Sequence, residues 1–323
     1  KDWVFRLQGA LSFGPEKRTI LDRIAGGTAE PGDLDALLDN PAEGAFDFVL
    51  HENATYLIIS DGMVLAIIPG ISKSADDSHA FIQVISSTRE SWYVRYPADQ
   101  FKAEQDRFAV SIGNSTFSLE GISLDIEDAG ISLKGIIGHI DPREFPVTLT
   151  SPGIMGWYAY VPRMECFHGV VSMHHKLSGT VSLNGQQISL LHGTGYIEKD
   201  WGTSFPSAWV WMQSNRFPSG DVSCMLSVAR IPFLGRSFTG FLGFVLIGKR
   251  LIRFATYTGA RIEKIEHDAQ RCEVTIRTRK ETIRFLGQLG IASPLVAPQG
   301  GTMERMITES ITGTIALSVS DHA

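Results

Sequence analysis

Along most of the chain, short runs alternate apolar and polar positions and end in turn residues, which predicts strands rather than helices. Ala80–Ile85, Ser91–Tyr96 and Phe108–Ile112, the last closed by Gly113-Asn114, are early examples. Gly130–Gly135, Leu177–Leu183 and Gln187–Leu191 continue the pattern, with Asn184-Gly185 between the last two predicting a type I′ hairpin turn. After residue 208 the same rhythm predicts strands at Ala208–Met212, Val222–Ala229, Thr239–Ile247, Leu251–Tyr257, Arg261–Glu266, Cys272–Arg277, Thr282–Leu286 and Ile311–Val319. Strands at such regular spacing imply an all-β chain of antiparallel barrels or sandwiches.

Only the first fifty-odd residues depart from this rhythm. Ile20, Leu21 and Ile24 within Glu16–Ala25, and Leu34, Leu37 and Leu38 within Asp33–Asn40, fit the spacing of two short helices separated by Gly26-Gly27 and Pro31-Gly32. Prolines interrupt the strand pattern between Asp141 and Gly153, which makes this stretch the expected boundary between two β units. The expected organisation is therefore a helical N-terminal segment over 1–61, a first β domain over 62–150 and a second over 151–323.

Composition narrows the partners. The 323 residues carry a formal charge of −6 and no Lys/Arg cluster, which disfavours nucleic acid as a partner. Cys166, Cys224 and Cys272 are widely spaced and odd in number, as expected of reduced thiols. The apolar stretches Gly62–Ile71 and Gly240–Gly248 are far short of the ~20 residues of a membrane-spanning helix. Lys1–Arg6 has no signal-peptide profile, so a cytoplasmic or peripheral membrane location is expected.

Candidate chemistry concentrates between Ser151 and Phe217. Gly195-Tyr196-Ile197-Glu198-Lys199-Asp200-Trp201-Gly202 sets two carboxylates and an amine among aromatic residues, and Phe205, Trp209, Trp211, Gln213 and Asn215 follow closely. On a strand, Trp209, Trp211 and Gln213 share one face, while Glu198 and Asp200 lie opposite Lys199. Two indoles and an amide suit either an apolar ligand with a polar end or plain core. The carboxylates read either as groups whose pKa burial would raise into the range of a general acid, or as a solvated loop. His168, His174, His175 and His192 are close in sequence, but no HExxH or Cys/His spacing accompanies them, so no metal is expected. No GxSxG nucleophile motif or phosphate-binding glycine loop occurs.

Three blocks carry a resemblance: Ser151–Tyr158, Met164–Met173, and Gly195–Pro206 followed by Trp209-Val210-Trp211-Met212-Gln213-Ser214-Asn215. They resemble the tocopherol cyclase family, in particular its bacterial tocopherol cyclase-like branch. Ile68–Ser72, His79–Val84, Gly121–Asp125, Arg253–Ala260 and Glu309-Ser310 extend the resemblance over roughly residues 62 to 319. The family's early Glu-Gly-Trp-Tyr strand is replaced by Glu52-Asn53-Ala54-Thr55-Tyr56, and Asp2–Arg6 reads as its displaced counterpart, with the two helices as an insertion.

The resemblance implies two lipocalin-like antiparallel β-barrels and a cofactor-independent cyclase that closes a chromanol ring in a prenylated hydroquinone or related isoprenoid. In that chemistry Asp200, with Glu198 as alternate, protonates the alkene. Trp201, Trp209, Trp211 and Tyr158 face the cation, and Glu165, His168 or His174 orient the quinol head and take its proton. Phe205, Gln213 and Asn215 complete the ligand wall, and a lipid ligand implies peripheral membrane contact. The same features also fit a non-catalytic carrier of an isoprenoid quinol, or an enzyme acting on another polyene.

Overall fold

The computed structural model describes residues 3–13 and 51–322, apart from 61–62, 75–76, 105–106, 150, 162–163 and 234–235. The helices expected at 16–25 and 33–40 lie outside the described residues. Within them the chain is all-β, interrupted by short 3-10 turns at Ala98–Gln100, Gly156–Tyr160 and Thr256–Thr258. No helix among the described residues is long and apolar enough to cross a membrane. The expected hairpin is present: Leu183 pairs with Gln186, and Asn184 and Gly185 both have positive φ, 49° and 84°.

The strands form two large antiparallel sheets, of 12 and 10 strands among the described residues. At the centre of the first, His51–Ser60 pairs with both Met63–Lys73 and Thr194–Gly202, and Thr194–Gly202 pairs in turn with Cys166–Leu183. At the centre of the second, Trp3–Phe13 lies between Trp209–Ser214 and Thr302–Asp321.

This pairing corrects the expected domain organisation. The chain crosses the proline-rich stretch 141–153, returns to the first sheet through Cys166–Leu183 and Thr194–Gly202, and changes sheet only after Gly202. The Glu-Lys-Asp-Trp-Gly block therefore belongs to the first sheet, and the N-terminal strand belongs to the second. Prolines interrupt a ladder locally, whereas sheet membership follows from pairing between strands distant in sequence.

Alternation along each strand builds three apolar clusters. Met63, Leu65 and Ile67 enter a cluster wrapped by the first sheet, and Val64, Ala66 and Ile68 enter a cluster shared by the two sheets. The second sheet repeats the scheme, with Phe241 and Val245 in its own cluster and Phe244 and Leu246 in the shared one. Strands covered on both faces need no polar face, which explains the unbroken apolar runs near residues 62–71 and 240–248. The two curled sheets meet through the shared cluster.

A polar group is buried within the first sheet's curl. The His139 and His175 rings lie 4.2 Å apart, and His175 Nδ1 is 2.9 Å from Ser172 Oγ. Burial, reinforced by the neighbouring histidines His139 and His174, pushes His175 down to about 2. The unfolded chain then binds a proton at His175 near pH ~6.5 that the folded chain refuses, so stability is lost as pH falls below that value. The contribution is about 1.4 kcal/mol per pH unit between the two pKa values. Denaturant titrations at pH 7 and pH 5 should show a smaller acid loss in His175→Phe than in the parent protein, and equal slopes would refute the assignment.

Candidate active site between the sheets

A cavity of about 400 Å³ opens within the shared layer, with walls from both sheets. The first sheet contributes Ile68, Phe81, His168, Glu198 and Asp200, and the second contributes Trp209, Trp211, Ser227, Leu242 and Glu309. The cavity thus lies between the curled sheets and not inside one barrel, contrary to what a lipocalin-like arrangement would suggest. The 3-10 turn Gly156–Tyr160 brings Trp157 and Tyr158 to it, and the Tyr158 ring meets Tyr257 edge-on at 5.6 Å. Gly156 has φ +57°, and a Cβ there would come within 2.5 Å of the Tyr257 ring, so no larger residue fits this turn unchanged.

The polar wall follows from strand alternation and register. Tyr196, Glu198 and Asp200 stand two apart on one face of Thr194–Gly202, as the sequence pattern predicts for the carboxylates. His168 is directly opposite Asp200 on the neighbouring strand, and Val170 is opposite Glu198. His168 Nδ1 is 2.7 Å from Asp200 Oδ1, and His168 Nε2 is 3.6 Å from Glu198 Oε2. The Tyr196 hydroxyl donates to Glu198 Oε2 at 2.8 Å.

The electrostatics assign one extra proton to this group. Burial alone would lower the His168 pKa, but the Asp200 and Glu198 carboxylates beside it overcome that effect and raise it to about 9. Burial raises Glu198 to about 8, helped by Asp200 and opposed by His168 and the Tyr196 hydrogen bond. Full ionisation would leave two buried anions on one cation. A proton on Glu198 leaves a balanced His168–Asp200 pair, the less costly arrangement in a dry wall.

Of the residues singled out in the sequence, Tyr158, His168, Glu198, Asp200, Phe205, Trp209 and Trp211 line the cavity. Others are placed elsewhere. Trp201 stacks on Phe167 at 5.5 Å, and Lys199 Nζ lies 4.8 Å from its ring centroid, on the face opposite Asp200. Gln213 shares the face of Trp209 and Trp211 but is fully buried outside the cavity lining. Asn215 ties the sheets together, its Nδ2 donating to the Gly195 carbonyl at 2.6 Å.

Glu165 and His174 are also outside the lining. The Glu165 carbonyl accepts from the Thr203 and Ser204 amides, and burial raises its carboxyl pKa against the pull of Arg305. Burial lowers His174, whose charged neighbours are Asp221, Lys176 and Arg143.

Sequence reasoning passed over Tyr196 and the second sheet's Ser227 and Glu309. The Tyr-x-Glu-x-Asp spacing held the signal for Tyr196, since period two puts all three on one face. Ser227 and Glu309 reach the cavity only through nonlocal pairing, Trp211 being opposite Ser227 and Ser12 pairing with both Trp211 and Glu309.

His168, Glu198 and Asp200 are also the described residues whose ligand atoms, all within 4.8 Å of one another, could hold a cation. Their buried imidazole is hydrogen-bonded to a carboxylate, so a cation here would compete with the proton between Nδ1 and Oδ1.

Residues 143–247 match a family model described as tocopherol cyclase-like, a narrower span than the resemblance predicts. A chloroplastic tocopherol cyclase of Zea mays is 39% identical over 71 residues, 21% of this chain and 15% of that protein. A relative from Oryza sativa subsp. japonica, named a probable tocopherol cyclase, chloroplastic, is 35% identical over 80 residues, 24% of this chain and 17% of that protein. The chain thus spans about a sixth of the length of these curated relatives.

Among solved structures, kievitone hydratase from Nectria haematococca superposes with a TM-score of 0.47 at 10% identity, covering 84% of this chain and 89% of that one. CghA with Sch210972 superposes at 0.49 and 8%, covering 85% and 89%. The family match contains His168, Glu198 and Asp200 together with Trp209 and Trp211. Through the segment that builds the cavity's polar wall, the chain is similar to the tocopherol cyclase-like family.

Proposed function

We propose that the protein is a cofactor-independent cyclase that adds a hydroxyl group across an alkene within one isoprenoid molecule, with a prenylated hydroquinone closing to a chromanol as the leading substrate. The observation that carries this reading is a buried carboxyl, Glu198, raised to about 8 on the polar wall of a mostly apolar cavity. The cavity volume is within the range of small-ligand sites.

In this reading Glu198 gives its proton to the trisubstituted alkene, and the substrate hydroxyl oxygen captures the tertiary cation. The hydroxyl proton returns to the Glu198 carboxylate, so one C–H and one C–O bond form, the alkene π bond and one O–H bond break, and the acid is regenerated without redox change. Asp200 is reassigned from acid to partner of His168, because its oxygen is already engaged at 2.7 Å. The imidazolium beside Glu198 favours the carboxylate left after proton transfer.

Trp211 and Tyr158 offer π faces to the cation, each worth about 1–2 kcal/mol when desolvated. Trp209 contributes less, because Arg305 already lies 5.0 Å from its ring centroid. Trp211 Nε1 is buried without a hydrogen-bond partner among the described residues. Trp157, which lines the cavity, is 52% exposed, and on the same turn Tyr160 is 61% exposed and bonds to the carbonyl of Leu149, itself 92% exposed. Such an apolar rim supports peripheral contact with a lipid surface.

The test is anaerobic incubation with a prenylated hydroquinone in deuterated buffer, followed by chiral chromatography with mass detection. One enantiomer of chromanol carrying one new deuterium is the expected result. Quinol recovered unchanged and bound to the protein would replace this reading with that of an isoprenoid carrier.

A further inference from the structure

We infer that Tyr196 is a positioning residue for Glu198, fixing which carboxyl oxygen carries the transferable proton. This inference rests on the reading of Glu198 as the acid. Two polar neighbours of the carboxyl approach the same oxygen: the Tyr196 hydroxyl donates to Oε2 at 2.8 Å, and His168 Nε2 lies 3.6 Å from it. The Tyr196 donor, with the His168 charge on the same side, makes Oε2 the poorer place for a proton. Oε1 has no hydrogen-bond partner among the described residues, and Glu198 lines the cavity. The proton therefore sits on Oε1, the oxygen left for a ligand. When it leaves, the same phenol O–H holds the new carboxylate without moving.

Tyr196 can act as a fixed donor because, among the described residues, Glu198 is its hydroxyl's hydrogen-bond partner. It is 1% exposed, lies in the apolar cluster shared by the sheets and is anchored on the same strand face as Glu198. Burial, reinforced by the Glu198 charge, keeps its own pKa well above the ordinary tyrosine value, so the phenol stays a donor throughout the working pH range. Tyr196 is outside the cavity lining and so acts through Glu198, not on the ligand.

The experiment is an infrared pH titration of the ligand-free protein, with the Glu198 carboxyl band assigned by its loss in Glu198→Gln. Tyr196→Phe removes a single oxygen and is expected to raise the Glu198 pKa by about one to two units, the equivalent of a hydrogen bond to a charged group. The carboxyl band should also broaden or split as the proton gains access to both oxygens. Replacing Tyr196 with 3-fluorotyrosine, a stronger donor of nearly the same size, should move the pKa the opposite way. That second variant keeps the test valid if the phenylalanine variant folds poorly.

An unchanged pKa and band shape in both variants would overturn the inference. Because the titration needs no substrate, it separates this inference from the cyclase reading. A protein that shows the shifts but makes no chromanol keeps Tyr196's role toward Glu198 and loses only the reaction.

Discussion

Glu198→Gln is expected to lower chromanol formation by about 10²- to 10⁴-fold, the usual contribution of a positioned general acid. The amide is isosteric and its oxygen still accepts from Tyr196, so the cavity, the His168–Asp200 pair and ligand affinity should survive. At neutral pH the parent side chain is itself a neutral carboxyl in this assignment, so the exchange adds no unpaired charge and the midpoint of thermal unfolding should barely move. A loss of turnover with retained binding is therefore the signature to look for.

The parent enzyme should also lose activity as pH rises through about 8, where Glu198 gives up its proton to solvent. Asp200→Asn separates the two carboxyls. It should retain measurable turnover, with the alkaline limb displaced because the His168 charge loses its partner. If Asp200→Asn abolishes turnover while Glu198→Gln does not, the acid is Asp200, the choice that the resemblance alone favours.

The second large effect is on stability. His168→Ala removes the cation from a wall holding two carboxyls, and breaking a buried pair in this way costs about 3–5 kcal/mol. The His168 and Asp200 side chains are only 13% and 16% exposed, so solvent screens little of the loss. The folded-state pKa of His168 lies above the unfolded value of ~6.5. Its stabilising contribution is thus complete below pH ~6.5 and is lost as pH rises toward 9. Urea denaturation should therefore show a wide gap between parent and His168→Ala at pH 6 and a narrower one above pH 9. A constant gap across that range would mean that packing, not the ion pair, sets the loss. His168→Gln, which keeps a donor for Asp200 without the charge, should fall between the two.

Much of the local structure was legible along the chain. The strand rhythm from Ala80 onward and the Asn184-Gly185 turn needed only side-chain period and turn chemistry. Alternation also put Glu198 and Asp200 together and Lys199 opposite. Trp201, expected to face the cation, shares the parity of Lys199, and the structure places it against Phe167. Of the residues expected to form the site, Trp209 and Trp211 line the cavity, whereas Trp201, Gln213, Asn215, Glu165 and His174 do not.

What the sequence determined by itself is local: the all-β character, strand faces, one hairpin and the chemical richness of residues 151–217. These depend on residues within a few positions of one another, so a periodic reading recovers them. Tertiary structure alone decided that Thr194–Gly202 returns to the first sheet and Trp3–Phe13 joins the second. It also brought His168 opposite Asp200 from a separation of 32 residues and set the cavity between two sheets instead of within one. The physical reason is that a strand's edge hydrogen bonds can be satisfied by many partners, and the choice among them is made by which apolar faces can be buried together. The raised pKa of Glu198 follows from that choice, because the desolvation and the neighbouring carboxylates that raise it exist only once both sheets have closed over it.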